Sequence, residues 1–410
     1  MYAYAESVRE VCDTGYQDKE VQAVVIIGLF LNKEIRTGAN RRYLELMEAL
    51  ARRGNRVFVA MNSLLEYQPE SFVRVEICIP YVRKGFPPAS FLFAHKSRRI
   101  AALIRDAMAA RGAGDVEWIH IHGDMHLALA VKLKKLFGAK LFFAYRCNDV
   151  LRAHIVRRSG MLKPAEYVRS RAYEPVNRFR EKVVARQANL VCFQNSADRD
   201  DWLMRVRFPL EKTVLIPGNI GLPRCRDEWK NANRATSLDS LVYVGVLSIT
   251  KGLFQVFSVL HELHSRGFRN LTLAVLGKTD DADEVFQLAE KLGIEKAITW
   301  AGYTDPFPYL TTASMMIFPS LYDAFPDTIL EALHTGCPVI ASRRGGIPDI
   351  LGNEELLFEP DDIGGMADLI GRCITDEREY RRIRAVCAER AERFRFDWPE
   401  RWEHAMKEIR

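Results

Sequence analysis

The stretch Asp323–Pro348, DAFPDTILEALHTGCPVIASRRGGIP, sets two carboxylates, Asp323 and Glu331, around a Phe-Pro pair with seven residues between them. Pro326 suits the first turn of a helix, where its missing N–H costs nothing. Gly336 suits the cap past the end, and Pro338 prevents continuation. The spacing therefore predicts a helix over Pro326–Thr335, then a short strand, PVIAS, and a loop with two adjacent glycines. Asp323 precedes the helix, and Glu331 lies within it among Ile329, Leu330, Ala332 and Leu333. A carboxylate with such neighbours needs hydrogen-bond donors.

A vicinal diol is a natural donor, because the two oxygens of one carboxylate can accept both hydroxyl protons. Such a charge-assisted bond contributes roughly 1.5–3 kcal/mol. The helix start, from Phe325 through Pro326 and Asp327 to Thr328, presents N–H groups suited to anions or sugar oxygens. A ligand with a diol at one end, hydroxyls at the other and an anionic middle fits this pattern, and a nucleotide sugar has those parts. An isolated pair of acids at this spacing is more often a capping residue and a surface residue, so the rest of the chain decides the reading.

Outward from this stretch, strands alternate with helices. VQAVVIIGLFL from Val21, RVFVAMN from Arg56, VEWIHIH, AKLFFAY and NLVCF read as strands. Between the first two, GANRRYLELMEALARRG reads as a helix with Tyr43, Leu46, Met47 and Leu50 on one face, ended by Gly54. A Pro, Gly, Asn and charge cluster over 217–240 interrupts the pattern as a linker. It resumes with SLVYVGVL, LTLAVLG, AITWAG, MMIF and PVIAS. Continuous apolar strands separated by helices predict parallel sheets covered on both faces, hence an α/β chain of two doubly wound domains. The carboxyl ends of both sheets then face a central cleft.

Composition agrees with a two-domain globular chain: 410 residues, 48% hydrophobic, with a formal charge of +6. The longest apolar run, VVIIGLFL from Val24, is too short to span a bilayer. The first twenty residues are rich in charge and do not read as a signal peptide. The eight cysteines are scattered with no CxxC pair, which fits reduced thiols and a cytoplasmic setting. No zinc-finger or RNA-recognition motif is present, and no nucleic-acid partner is expected.

The string PSLYDAFPDTILEALHTGCPVIASRRGGIPDIL closely resembles the signature of retaining glycosyltransferases of family 4, whose GT-B fold joins two Rossmann-like domains. The resemblance implies that Asp323 faces the donor sugar and Glu331 the nucleotide ribose, with Phe325, Pro326, Asp327 and Thr328 at the donor. The family usually has Glu first, so Asp323 is a departure, shorter by roughly one C–C bond. YVGVLSITKG resembles the family's phosphate motif, placing Gly245 and Lys251 at the donor diphosphate. Arg commonly follows that glycine, whereas this chain has Val246. Arg343, Arg344 or Arg146 is then the expected substitute cation. NKEIRTGANRRYLELMEALARRGNRVFV resembles the family's first glycine loop and helix, which implies that Gly38 approaches the diphosphate from the other domain. WAGYTD puts Gly302 and Tyr303 where family members hold the base, and Lys278 lies near the cleft.

The resemblance extends from about Val21 to the last helix. It implies an N-terminal extension over 1–20, an acceptor domain over 21–216, a linker over 217–240, a donor domain over 241–390, and a final helix over 391–410 that returns to the first domain. FFAYRCND carries Arg146 where many members have His, near phosphate or an ion pair with Asp149. HIHGDMH brings His120, His122 and His126 together, but no metal is expected, and His122 or Asp124 is a candidate for the acceptor pocket. The segment Arg146–Arg186 is strongly basic, which suits a solvated helix, an anionic acceptor, or peripheral contact with an anionic membrane on its inner face.

The implied function is transfer of a sugar from a nucleotide-diphosphate donor to a sugar or lipid-linked acceptor hydroxyl, in cell-envelope polysaccharide or glycolipid synthesis. Lys251, Asp323 and Glu331 carry the chemistry, and no cofactor is needed beyond the nucleotide sugar as co-substrate. Two rivals belong to other classes. One is a nucleotide-sugar epimerase on the same architecture, which would bring motifs this chain lacks. The other is a non-catalytic nucleotide-sugar-binding protein, motivated by Val246 and Asp323.

Overall fold

The computed structural model describes residues 23–35, 38–78, 89–160, 162, 164–221, 225, 228, 238–278 and 282–408. The extension 1–20 and most of the linker lie outside the described residues. In the first half, β1 (Val25–Phe30), β2 (Arg56–Asn62), β3 (Val73–Ile77), β4 (Trp118–His122), β5 (Lys140–Ala144), β6 (Leu190–Phe193) and β7 (Thr213–Leu215) form a parallel sheet in the order β3-β2-β1-β4-β5-β6-β7. Every residue of β1 is buried, because helices cover both faces of the sheet. Alternation splits its side chains between two cores. Val25, Ile27 and Leu29 join a core with α2 (Ala89–Ala110), α3 (Leu127–Phe137), α5 (Pro164–Gln187) and α6 (Ser196–Arg205). Ile26 and Phe30 point the other way, to α1 (Gly38–Arg52) and α14 (Trp398–Glu408). On α1, the predicted apolar face of Tyr43, Leu46, Met47 and Leu50 is buried. Between β5 and α5 lies α4 (Asp149–Arg158).

The second sheet holds β8 (Ser240–Val244), β9 (Thr272–Leu276), β10 (Ile298–Gly302), β11 (Met315–Phe318), β12 (Val339–Ser342) and β13 (Leu357–Phe358), in the order β10-β9-β8-β11-β12-β13, also parallel. Its helices are α7 (Leu253–Ser265), α8 (Ala282–Lys291), α9 (Phe307–Thr312), α10 (Asp327–His334), α11 (Ile347–Leu351), α12 (Ile363–Thr375) and α13 (Glu377–Glu392). The fold is thus two doubly wound parallel α/β domains. In each sheet the chain reverses its direction of travel beside the first strand, between β1 and β4 and between β8 and β11. Crevices at the carboxyl ends of strands form at such points.

The last helix packs on the first domain. Trp398 and Trp402 of α14 lie in the core with α1, and Arg53 donates to Glu403 at 2.8 Å. Three strands go beyond the predicted set: β3, β7 and β13. Two of them stand at sheet edges with a mixed pattern of exposed and half-buried positions, and β13 has only two residues. None presents the continuous apolar run of a central strand. No described helix is long and apolar enough to cross a membrane.

Candidate functional site

The donor side is built from loops at the carboxyl edge of the second sheet. After β8 the chain turns through Val246 to a short 3-10 turn, Ile249–Lys251, and enters α7 at Gly252. Gly252 has φ +79°, and a Cβ there would stand 2.1 Å from the Pro319 carbonyl oxygen. Only glycine lets this turn abut the end of β11. The abutment sets Lys251 against the loop after β11, where its Nζ is 2.6 Å from Asp323 Oδ2. Tyr243 Oη donates to the Val246 carbonyl at 2.9 Å and braces the same turn. Gly245 donates its N–H to Leu276 O at 2.9 Å, so its part here is in the loop framework.

The adjacent glycines of the opening stretch have a structural use. Gly346 N donates to Asp323 O at 2.9 Å. A Cβ on Gly345 would be 1.9 Å from that same oxygen, and one on Gly346 would be 1.9 Å from Ala324 O. The loop after β12 therefore clasps the Asp323 loop by backbone contact. Arg343 and Arg344 turn away to acidic partners: Arg343 pairs with Glu354, and Arg344 with Glu359. Of the three proposed substitute cations, Arg146 alone lines the cleft, and its guanidinium donates to Asn40 Oδ1 at 3.0 Å. Asp149 pairs with Arg152 at 3.0 Å instead of with Arg146.

Helix α10 begins at Asp327 and ends at His334, one residue inside the predicted span at each end. Asp327 at its first turn is bound from the other domain: Arg42 Nη1 is 2.7 Å from Asp327 Oδ1. Gly38 lies beside the same carboxylate, since a Cβ there would be 3.2 Å from Asp327 Oδ2. Glu331 is fully buried within α10, Phe325 and Pro326 are buried before it, and Thr328 is half-buried. Gly302 and Tyr303 end β10 at the exposed rim, where Lys278 Nζ sits 4.3 Å over the Tyr303 ring.

Facing these loops is a wall of the first domain. A cavity of about 550 Å³ lies between Arg146, Asp149, Arg152, Arg169, Tyr173 and Asn177 on one side and Thr250, Lys251, Tyr322 and Asp323 on the other. A second cavity, of about 300 Å³, shares Arg146 and Asp149 and includes His122 and Asp124. Burial holds the His122 imidazole well below its usual pKa, with Arg146 acting in the same direction. His120 is buried against Tyr43, Phe142 and Trp402, and burial lowers its pKa to about 3. His126 Nε2 accepts from Leu31 N at 3.3 Å. The three histidines thus point to separate surroundings, and among the described residues no group of three His, Cys, Asp or Glu is placed to hold a metal.

Sequence reasoning missed the residues that lock the two domains across this cleft. Tyr322, next to Asp323, donates its hydroxyl to Asp198 Oδ1 at 2.6 Å. Asn195 Nδ2 donates to Ala324 O at 2.7 Å, and Ser196 donates through N and Oγ to Asp349 at 2.6 and 2.9 Å. Burial pushes the Asp198 carboxyl up to about 6, against the opposing hydrogen bond from Tyr322. Arg42 also donates to Asn219 Oδ1 at 2.9 Å and stacks 4.6 Å over Trp398. These partners lie far apart in the chain, so no local pattern marks them. The one signal is the NSADRDD string at 195–201, which reads as a helix start.

The arrangement matches known proteins along its length. The family described as Glycosyltransferase Family 4 matches residues 36–220, and that described as Glycosyl transferases group 1 matches residues 226–393. The MMP alpha-(1->4)-mannosyltransferase of Mycolicibacterium hassiacum is 28% identical over 217 residues, 50% of this chain and 49% of that protein. The chain thus spans about half the length of that relative. An N-acetylgalactosaminyltransferase of Campylobacter jejuni, named for a diphospho-undecaprenol acceptor, is 19% identical over 90% of this chain and 95% of its own. The structure of Anabaena HepE in complex with UDP superposes with a TM-score of 0.68 at 16% identity, covering 94% of this chain and all of that one, 100%. With both domains matched in tandem and the two sheets facing one cleft, the chain belongs to the GT-B glycosyltransferases of the family 4 kind.

Proposed function

We propose that this protein is a retaining transferase that moves a sugar from a nucleotide-diphosphate donor to an acceptor hydroxyl. The observation that carries the reading is the Lys251–Asp323 pair, 2.6 Å apart at the carboxyl edge of the second sheet and facing the first domain across the cleft. A diphosphate entering there offers Lys251 a second anionic partner, which frees Asp323 to accept hydroxyl protons from the donor sugar. Gly38, Gly245 and the start of α10 add backbone N–H groups on the phosphate side. Arg146 is the cation nearest in role to the one lost at Val246. Glu331 holds the ribose, and Gly302 and Tyr303 flank the base. The HepE structure, solved with UDP, agrees with a nucleotide donor.

In the transfer, the bond from the sugar's anomeric carbon to the diphosphate breaks and one to the acceptor oxygen forms on the same face. The acceptor proton passes to a donor phosphate oxygen, so no protein base is required. The protein orients the sugar and stabilises the developing diphosphate charge. Neither a metal nor an organic cofactor is part of the proposal. The acceptor is a sugar or lipid-linked sugar of envelope polysaccharide or glycolipid assembly, reached from the cytoplasmic side.

The test is thermal unfolding with UDP, GDP, ADP and their sugar conjugates. A ligand at about a hundred times its dissociation constant adds about 2.7 kcal/mol, a shift of a few degrees. The expected outcome is a shift with one nucleotide that Glu331→Gln removes, together with product from the matching nucleotide sugar. No shift and no turnover with any of them would overturn the reading.

A further inference from the structure

We propose that the outer side of α5 docks on an anionic lipid bilayer and brings the cleft alongside it. Along this helix Val168, Arg171, Pro175, Phe179, Lys182 and Arg186 recur at helical spacing on one side, and every one is exposed. Val168 is 66% exposed and Phe179 64%, values far outside what a packed helix leaves to large apolar side chains. Arg178 flanks Phe179 on the same side.

The acids of α5 are held elsewhere. Glu174 is turned inward, 15% exposed and paired with Arg157 at 2.8 Å. Glu181 is buried against Arg205 at 2.6 Å. Glu166 lies with the residues lining the cleft. The outer side therefore combines isolated apolar groups with cations and carries no carboxylate. An aqueous surface needs no exposed Phe, and an apolar protein interface would not suit this run of cations. A bilayer with anionic headgroups satisfies both, because apolar side chains enter the interface while cations meet the headgroups.

The opposite side of the same helix carries Arg169, Ser170, Tyr173 and Asn177, which line the cleft. The cleft then stands one helix diameter, about 10–12 Å, from the bilayer. That is within reach of a sugar carried on a lipid headgroup. The lipid-linked acceptor rests on the transferase reading above, whereas the docking does not.

The experiment is flotation of the full chain with vesicles of phosphatidylcholine alone and of equal parts phosphatidylcholine and phosphatidylglycerol. Flotation is expected with the mixed vesicles, little with the neutral ones, and release as salt is raised. Each basic side chain near the surface contributes about fivefold to partitioning. The variant K182E/R186E should therefore lose at least about twenty-five-fold. F179S should lose severalfold while keeping the salt dependence. Both variants should unfold at the wild-type temperature and keep any nucleotide-induced shift, which separates failure of docking from failure of the donor site. Equal flotation with both vesicles, or flotation unchanged in K182E/R186E, would overturn the proposal. So would a wild-type dimer in light scattering that the variants dissociate, since the surface would then be a contact between copies.

Discussion

Asp198 is a buried carboxylate whose proton has a measurable consequence. Its pKa rises from 3.8 to about 6 on folding, chiefly through burial. A raised acid binds its proton more tightly in the folded state. Its contribution to stability is complete below about pH 4 and is lost as pH rises through about 6, amounting to roughly 3 kcal/mol. The buried histidines act in the opposite sense. His120 and His126 are lowered to about 3 and about 4, so folding gains from their neutrality at neutral pH and loses that gain as pH falls below about 6.5. The wild-type pH profile mixes the two effects. The difference between wild type and Asp198→Asn in urea unfolding isolates the first. Across pH 4–6 that difference should shift in favour of the variant as pH rises.

At the scale of elements, the turn into α7 decides where Lys251 stands. Gly252→Ala places a methyl group against the Pro319 carbonyl at a positive φ. The expected loss is about 2 kcal/mol or more. Donor turnover should fall further than stability alone explains, because the turn must move away from Asp323; steady-state kinetics beside urea unfolding would separate the two. The central elements of both sheets were legible in the sequence as continuous apolar runs, and α10 was legible from Pro326 and Gly336. The edge strands were not, since β3 and β7 bury too little to leave a pattern. The basic segment was legible only as charge. Its division into an outer side and a cleft side needed the helix phase and the partners of Glu174 and Glu181.

For the whole molecule, the closest restraint between the domains is Arg42, which joins α1, the start of α10, the linker at Asn219 and Trp398 before the last helix. Arg42→Ala should cost roughly 3 kcal/mol, because it leaves the largely buried Asp327 without its cation. The double variant R42A/D327A should cost less than the sum of the single changes, a coupling that a double-mutant cycle in urea would measure. The same substitution should weaken donor binding by loosening the start of α10 against Gly38. Isothermal titration with the nucleotide identified by the thermal shifts would show it.

The sequence by itself determined the alternation of strands and helices, the two domains, the Asp323–Glu331 spacing and the Lys251–Gly252 turn. Each rests on local rules of propensity, capping and periodicity that act within about a dozen residues. Only the tertiary structure decided which charges meet. It paired Lys251 with Asp323, gave Asp327 to Arg42, turned Arg343 and Arg344 to glutamates, left Arg146 at the cleft, and joined Tyr322 to Asp198. Such pairings depend on side chains brought within about 3 Å by the crossing of two sheets. No spacing along the chain encodes that approach.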